Sequence, residues 1–170
     1  VDITANGIDP FTIGYHHTAM PMVHGNPDNV DILLNRDAAL IRIADVARVS
    51  SMQGDNYDTP AQAFGIFPGQ RVEKVGRTTR HTSGVVIGQM AGPHPCTYNL
   101  PGVGSPTAFF DPVYVIKGDN GPFSEGGDSG SLVTAMIGDQ RFAVGLIFAG
   151  DTQGLSYALP LLPILTTLNV

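Results

Sequence analysis

One serine of this chain lies in a setting that suits a nucleophile. Ser129 is the fourth residue of the segment GGDSG at 126–130, which comes directly before the apolar run SLVTAMI. A serine hydroxyl is a weak nucleophile by itself, so catalysis needs a neighbouring base and hydrogen-bond donors for the oxyanion that forms. Glycines on both sides permit the turns that direct backbone amides to one point. The segment is also typical of an ordinary turn before a strand, so the serine alone leaves both interpretations open.

Metal and cofactor chemistry finds little support in the other polar residues. The five histidines include no HExxH motif and no pair at ligand spacing, and the neighbours His16 and His17 would point to opposite sides of a strand. No glycine-rich phosphate loop occurs between a predicted strand and a predicted helix. The sequence therefore predicts neither a metal site nor a cofactor.

The composition is typical of a compact chain rich in turns. Of the 170 residues, 42% are hydrophobic and only 14% are charged, with 21 glycines and 13 prolines, which excludes a disordered chain. The net charge of −6 and the lack of a basic block argue against nucleic acid as a partner. No run reaches the roughly 18 apolar residues of a membrane span. The single cysteine, Cys96, forms no internal disulfide, which is compatible with the cytoplasm but leaves the compartment open.

The elements that must position Ser129 are predicted to be short strands. Apolar runs rich in Val and Ile recur between turn residues, which favours a sandwich or a barrel. The segment 91–112 carries five prolines and is predicted to be a long surface loop. The last residues form either a short helix after Pro163 or an apolar strand. The predicted strands are AALIRIA (38–44), QRVEKVG (70–76), GVVIGQM (84–90), VYVIKG (113–118), SLVTAMIG (131–138) and RFAVGLIFAG (141–150).

Four segments in chain order resemble the chymotrypsin-like (trypsin-fold) serine peptidases, and in particular their bacterial members that lack disulfides. They are NRDAALIRI (35–43), KVGRTTRHTSGVV (74–86), GGDSGSL (126–132) and AVGLIFAGD (143–151), which leads to YALP. The resemblance covers roughly residues 30–170. It implies an all-β fold of two β-barrels, in which residues 1–66 form a shortened or incomplete first barrel and residues 67–170 a complete second one. The segment 74–86 is then a hairpin with its turn near the threonines.

The resemblance also implies roles for individual residues. Ser129 is the nucleophile, and Asp37, 92 residues before it, orients the catalytic histidine. The backbone N–H groups of Gly127 and Ser129 form the oxyanion hole. Asp128, between them, is expected to shape the loop and to take no part in the chemistry. Asp37 has an alternative interpretation as the last residue of a loop before a strand.

The substrate pocket is harder to predict. By the resemblance, Phe123 lies at the base of the pocket, and the strand with Phe148, Ala149 and Gly150 forms a wall along which an extended substrate pairs. Because position 123 carries no carboxylate, a preference for Lys or Arg is not supported. The alternative is that Phe123 and Phe148 are core residues and that another residue determines the pocket.

The sequence departs from the pattern of this family in the position of the catalytic histidine. The pattern places it some forty or more residues before the aspartate, but only 36 residues precede Asp37. The sequence also begins with Val1 in place of an initiator methionine, which suggests a processed or cut piece of a longer chain. We therefore expect the histidine-bearing strands upstream of Val1, on a segment of the same precursor. How Val1 became the first residue is left open.

The competing expectation is that the base lies within this chain. His17, or its neighbour His16, would then serve a shortened first barrel, because the apolar run FTIGY leads directly into this pair. His24, His81 and His94 are expected to be surface or loop residues.

Two functions remain at this stage. The first is a serine endopeptidase that hydrolyses polypeptides through an acyl-enzyme at Ser129. The second is a catalytically incomplete trypsin-fold barrel that binds peptides or proteins. The combination of Asp37, Ser129 and an intact glycine loop favours the peptidase, whereas the missing histidine favours the binding module.

Overall fold

The computed structural model describes residues 2–3, 11–99, 102 and 104–170. Val1, upstream of which the catalytic histidine is expected, is outside the described residues. Nearly all of the regular structure is β-strand, and the α-helix of the described part, α1, occupies Leu161–Leu168 at the C-terminal end. The predicted all-β class is therefore confirmed. No helix in the described part is long and apolar enough to cross a membrane.

The N-terminal third consists of strand pairs that do not close into a barrel among the described residues. Each pair is antiparallel, and a 3₁₀ turn at Val46–Arg48 follows the second of them. The pairs are β1 (Asp2–Ile3) with β2 (Phe11–Thr12), β3 (Gly14–Ala19) with β4 (Ala39–Ile43), and β5 (Met52–Gln53) with β6 (Tyr57–Asp58).

The C-terminal two thirds contain a closed six-stranded barrel. The strands of this part of the chain are β7 (Arg71–Gly76), β8 (Arg80–Gln89), β9 (His94–Thr97), β10 (Thr107–Phe110), β11 (Tyr114–Gly118), β12 (Leu132–Ile137), β13 (Gln140–Gly150) and β14 (Leu155–Pro160). The barrel strands are joined antiparallel in the order β11-β14-β13-β12-β7-β8, and a separate hairpin of β9 and β10 lies outside the barrel.

The barrel closes because the alternate residues of its strands are apolar and point inward. The buried interior includes Val72, Val86, Ile116, Val133 and Val144, each at most 1% exposed. Removing such side chains from water supplies the main driving force for folding. The predicted turn near the threonines is also present, because the β7–β8 pairing runs to the turn at 77–79. One complete barrel is thus confirmed.

A second apolar cluster joins the barrel to the rest of the chain. Phe110 from β10, Phe148 and Leu159 from the barrel, and Ile164 from α1 pack together in it. The helix begins at Leu161, two residues before Pro163, a place where proline is tolerated because the first N–H groups of a helix have no partner within it. This cluster holds the helix and the β9–β10 hairpin against the same side of the barrel.

The prediction of a surface loop at 91–112 is wrong for its two ends. Residues 94–97 and 107–110 pair as β9 and β10, and Ala108 and Phe110 are fully buried. Proline argues against a strand that has neighbours on both sides, but β9 pairs only with β10 in the described part. Pro95 therefore lies on an edge strand, where proline is tolerated.

The β3–β4 pair buries little of its apolar surface. Ile41 and Ile43 of β4 are 39% and 42% exposed, in contrast to the interior of the closed barrel. Ile66, by comparison, already lies in the barrel core. The chain therefore joins the barrel before residue 67, and the division into units 1–66 and 67–170 stays a prediction.

Candidate active site

Ser129 lies at the surface, in the loop that leads into β12. Its Oγ donates to the carbonyl of Phe148 at 3.3 Å. The carbonyl of Phe148 is available for this contact because Phe148 lies at an irregularity in the pairing of β13 with β14, between Ile147 and Ala149. Such bulges often redirect groups beside active sites.

The backbone amides around Ser129 alternate in direction. The N–H of Asp128 donates to Glu125 O at 3.0 Å and that of Gly130 donates to Ile147 O at 2.7 Å. The N–H groups of Gly127 and Ser129, which alternate with these two along the chain, donate to no atom of the residues that the structure describes. Two neighbouring donors are therefore free beside the serine, as stabilisation of an oxyanion requires.

Gly127 is required by both its conformation and its surroundings. Its φ of +100° lies in a region that L residues with a side chain rarely adopt. A methyl carbon at this position would lie 2.6 Å from Arg77 Nη2 and 2.6 Å from Thr78 Oγ1. The β7–β8 turn thus packs directly against the loop that carries Ser129.

Asp128 fixes this loop from inside. Its carboxylate accepts from the Thr78 N–H at 2.7 Å, from Thr79 Oγ1 at 2.7 Å and from the Glu125 N–H at 3.1 Å. Lys74 Nζ lies 3.4 Å from Oδ2, and neither side chain is exposed. The expected loop-shaping role of Asp128 agrees with these contacts.

Hydrogen bonds and mutual attraction stabilise the charged forms of Asp128 and Lys74 in this buried pair. Burial opposes ionisation of Asp128, but the bonds from Thr79, Thr78 and Glu125, with the charge of Lys74, outweigh burial and lower the pKa of Asp128 to about 2. Burial lowers the pKa of Lys74, and the Asp128 carboxylate partly offsets that effect. The pair is a rigid attachment between β7 and the residue before the nucleophile.

A cavity of about 440 Å³ opens beside Ser129 and the two free amides. Two carboxylates, those of Glu125 and Asp151, belong to its lining, and no Lys, Arg or His does in the described part. Asp151 is occupied by its own loop, because it accepts from two backbone N–H groups and from the hydroxyl of Tyr157. The lining residues are Pro122, Ser124, Glu125, Gly126, Gly127, Ser129, Ile147, Phe148, Ala149, Gly150, Asp151, Thr152 and Gly154.

The structure brings three of the four predicted pocket residues to this cavity. Phe148, Ala149 and Gly150 line it, but Phe123 is fully buried in the barrel core and does not. The placement of Phe123 at the base is corrected, because its ring packs in the barrel core while its neighbour Ser124 lines the cavity. The hydroxyl of Ser124 donates to Ser156 Oγ at 2.7 Å.

Asp37 is half-buried, just before β4. Its Oδ2 accepts from the hydroxyl of Tyr98 at 3.0 Å, a contact that reaches across 61 residues of chain. No other hydrogen bond to this carboxylate occurs among the described residues. Its Oδ1 is therefore available to a further donor.

His17 is exposed on β3 and is not brought to Asp37. The backbone next to Asp37 pairs with Met20 and Pro21, since the Met20 N–H donates to Ala38 O and the Arg36 N–H to Pro21 O. His17 lies three residues before Met20, which at a strand rise of about 3.3 Å per residue places it about 10 Å along the strand. No hydrogen bond joins the His17 side chain to any described residue.

None of the remaining histidines forms a hydrogen bond with Ser129 in the described part of the chain. His94 was expected in an exposed loop, but it is half-buried in β9, with its ring 4.4 Å from the ring of Tyr157. Burial lowers the pKa of His94. His81 is a surface residue with Nε2 at 3.2 Å from Glu73. His24 forms an isolated bridge with Ala108, and His16 lies in β3.

The structure thus pairs no described histidine with Ser129 or Asp37. The preferred source of the base, a segment upstream of Val1, lies outside the described residues and stays a prediction, as does the origin of Val1 as the first residue. The alternative source, His17, is within the described residues and is placed away from the aspartate.

A second cavity, of about 450 Å³, separates the two predicted triad residues. Asp37 and Gly130, the residue after Ser129, both belong to its walls, which are otherwise mostly apolar. Leu146 from the barrel and Leu161 and Ile164 from α1 supply much of that apolar surface. There is thus open space between the carboxylate and the serine loop.

Comparison with solved structures shows which fold the chain has. A glutamic acid specific serine protease that uses a histidine triad in substrate binding matches with a TM-score of 0.60 and 18% identity, over 97% of this chain and 75% of that one. Cellulomonas bogoriensis chymotrypsin matches with a TM-score of 0.50 and 19% identity, over 77% and 66% of the two chains. Thermobifida fusca protease A matches with a TM-score of 0.50 and 22% identity, over 79% and 66%.

The chain has the chymotrypsin-like fold. No protein-family model matches the sequence, and no curated protein is similar to it in sequence. A quarter to a third of each similar chain has no counterpart here, since this chain spans 75%, 66% and 66% of their lengths. The recognition of the trypsin fold from four short segments is confirmed.

Within this chymotrypsin-like fold, sequence reasoning missed three residues of the site. Lys74 and Tyr98 contact Asp128 and Asp37, which the sequence analysis had named. Ser156 contacts Ser124, the neighbour of the predicted Phe123. Each contact joins residues more than 30 positions apart along the chain. Only Lys74 carried a signal, because a lysine in the middle of a barrel strand needs a buried partner. Among the described residues, no three His, Cys, Asp or Glu side chains cluster as metal ligands would.

Proposed function

We propose that the chain carries the nucleophile of a serine endopeptidase. The observation that supports this most directly is an exposed serine that lines a cavity together with Gly127, where the N–H groups of both residues have no partner among the described residues. The chymotrypsin-like fold is that of the serine proteases it matches. Polypeptide is the substrate class.

The reaction follows from these positions. Ser129 Oγ forms a bond to the carbonyl carbon of the scissile peptide while its proton passes to a histidine base. The N–H groups of Gly127 and Ser129 hold the oxyanion of the tetrahedral intermediate. The base then returns the proton to the amine as the C–N bond breaks, and water hydrolyses the resulting ester by the same steps.

We assign the base to a histidine that occupies the cavity between Asp37 and Gly130. The apolar walls of this cavity favour an additional packed element on this side. A segment of the same precursor upstream of Val1 is our preferred source of that histidine. His17 is the alternative, and its distance along β3 from Asp37 weighs against it.

The lining of the substrate cavity supports a neutral side chain before the scissile bond. The lining includes the uncharged Ser124, and Glu125 and Asp151 would repel an acidic side chain. The first of the similar structures is specific for glutamic acid, and we do not extend that preference to this chain. Strand residues 147–150 are the surface along which we place an extended substrate.

A binding function is the second candidate. It is favoured by one observation, that no histidine contacts Ser129 or Asp37 among the described residues. A barrel of this kind would hold a peptide in the same cavity without cleaving it.

A fluorophosphonate probe tests these proposals, because its phosphorus bonds to an activated serine Oγ as fluoride leaves. The chain is treated with the probe with and without added imidazole, and the adduct is located by intact mass and peptide mapping. Ser129→Ala provides the blank, and His17→Ala and Asp37→Ala are run in parallel. Added imidazole can enter the open cavity and replace an absent histidine.

Three outcomes separate the candidates. Labelling of Ser129 without imidazole that is lost in His17→Ala would make His17 the base and overturn the upstream segment. Labelling that imidazole accelerates in the parent but not in Asp37→Ala would support a base supplied from elsewhere. No adduct on a folded chain under either condition would overturn the peptidase proposal in favour of the binding module.

A further inference from the structure

We infer that Tyr98 is a positioning residue, which orients the Asp37 carboxylate for the catalytic base through a hydrogen bond between its hydroxyl and Oδ2. This inference rests on the proposed peptidase function. It adds Tyr98 to Ser129, Gly127 and Asp37, the residues of this chain on which that function depends. Tyr98 touches neither substrate nor base.

The geometry assigns different tasks to the two oxygens of Asp37. Oδ2 accepts from the Tyr98 hydroxyl at 3.0 Å, while Oδ1 has no hydrogen-bond partner among the described residues. The carboxylate lies in the wall of the cavity where we place the histidine. A carboxylate fixed by one oxygen cannot rotate freely, so its other oxygen stays directed to a single donor position.

Tyr98 is itself held in place. Its backbone N–H donates to Pro106 O at 3.0 Å, which continues the pairing of β9 with β10, and its ring packs against the second apolar cluster. Burial, with the charge of Asp37, raises the pKa of Tyr98 far above its ordinary value. The phenol therefore remains a donor throughout the pH range in which peptidases of this fold could work.

The same hairpin also holds the two residues before Asp37. Asn35, which is fully buried, donates from Nδ2 to the carbonyl of Phe109 at 3.0 Å. Arg36 Nη1 lies 3.4 Å from the carbonyl oxygen of Asp111. Residues 35, 36 and 37 thus each bond to the segment 98–111, so the hairpin forms a template for the aspartate loop.

The surroundings leave Tyr98 as the donor best placed for this task. Arg36 directs Nη1 to the backbone carbonyls of Asn35 and Asp111, and no salt bridge joins it to Asp37. The thiol of Cys96 adjoins the Tyr98 hydroxyl, and burial raises its pKa, so it stays neutral beside the carboxylate. Tyr98 is accordingly the only side chain of the described part that donates to Asp37.

The experiment compares Tyr98→Phe with Tyr57→Phe, which also removes a single tyrosine hydroxyl. The Tyr57 hydroxyl contacts Thr134 Oγ1 at 3.2 Å and lies outside the site. Each variant is labelled with the fluorophosphonate probe, with imidazole if the parent requires it, and the saturation curve separates the maximal labelling rate from the probe concentration at half-saturation. Melting temperatures are recorded, and all labelling is done well below them.

We expect Tyr98→Phe to lower the maximal rate about tenfold, which corresponds to one hydrogen bond to a charged group, and to leave half-saturation unchanged. Tyr57→Phe is expected to change the rate less than about twofold. The decisive comparison is made in an Asp37→Asn background, where Tyr98→Phe should lower the rate no further. A merely structural role of the hydroxyl would give the same loss in both backgrounds.

The outcomes distinguish the two proposals. A parent that labels at Ser129 while Tyr98→Phe labels equally fast, or a loss that is undiminished in Asp37→Asn, overturns the role of Tyr98 and leaves the peptidase intact. A parent that shows no adduct with or without imidazole overturns the peptidase proposal, and the role of Tyr98 falls with it.

Discussion

Lys74 and Asp128 form an ion pair with 3.4 Å between Nζ and Oδ2, and both side chains are completely shielded from solvent. The pair connects β7 to the residue that precedes the nucleophile. Lys74 Nζ also donates to Thr79 Oγ1, and Thr79 in turn donates to Asp128. A charge pair inside a barrel thus determines where the Ser129 loop lies.

Loss of one partner of this pair is expected to lower the free energy of unfolding more than loss of both partners does. Lys74→Met leaves the Asp128 carboxylate buried without its cation, which we expect to lower the free energy of unfolding by about 3 kcal/mol. The double variant Lys74→Met with Asp128→Asn should lose less than the sum of the two single variants. Urea unfolding followed by circular dichroism measures these values, and strict additivity would contradict the pairing.

The free energy of unfolding of the barrel is expected to fall at acid pH because Asp128 becomes protonated. The pKa of Asp128 in the folded chain, about 2, is below its ordinary value of 3.8, so the unfolded chain binds a proton first as the pH falls. The contribution of the Asp128 carboxylate to the free energy of unfolding is therefore fully present above about pH 4 and is lost as the pH falls through about 2. Urea midpoints between pH 6 and pH 2 should fall more steeply for the parent than for Asp128→Asn. Parallel curves would contradict the assignment.

Gly127→Ala is expected to abolish labelling of Ser129 without unfolding the chain. The new methyl group meets Arg77 and Thr78 and requires a strained φ, so the loop must shift and move the two free amides. Loss of one oxyanion donor typically costs about 10²–10³ in rate. Gly88→Ala is the matched control, since no atom lies within 4 Å of its added carbon. Normal labelling of a folded Gly127→Ala chain would argue against the oxyanion hole.

The substrate cavity is expected to discriminate against acidic side chains. Peptidyl phosphonate probes that differ only in Glu or Gln at the position before the phosphorus should react with Ser129 at rates about tenfold apart, with Gln faster. Glu125→Gln should reduce that ratio, and the exposed Asp139→Asn, in the β12–β13 turn, should not. A faster reaction of the Glu probe would contradict the proposed role of Glu125.

Much of the fold followed from local patterns. The strand at 131–138 and the hairpin around 77–79 could be predicted because alternating apolar residues and turn residues act over a few positions. Segment 91–112 shows the limit of this reasoning. Its prolines are typical of a loop, and nothing local in the sequence indicates that Phe110 is buried in the core. Whether a strand has a neighbour on both sides depends on distant parts of the chain.

The sequence by itself determined the nucleophile loop and the class of fold. Gly127, Asp128 and Ser129 are adjacent in the chain, and their spacing alone restricts how the backbone can turn. The tertiary structure alone decided what surrounds them, namely Lys74 under Asp128 and Tyr98 on Asp37. The physical reason is that these contacts join segments 54 and 61 residues apart, and only closure of the barrel and docking of the β9–β10 hairpin bring such segments together.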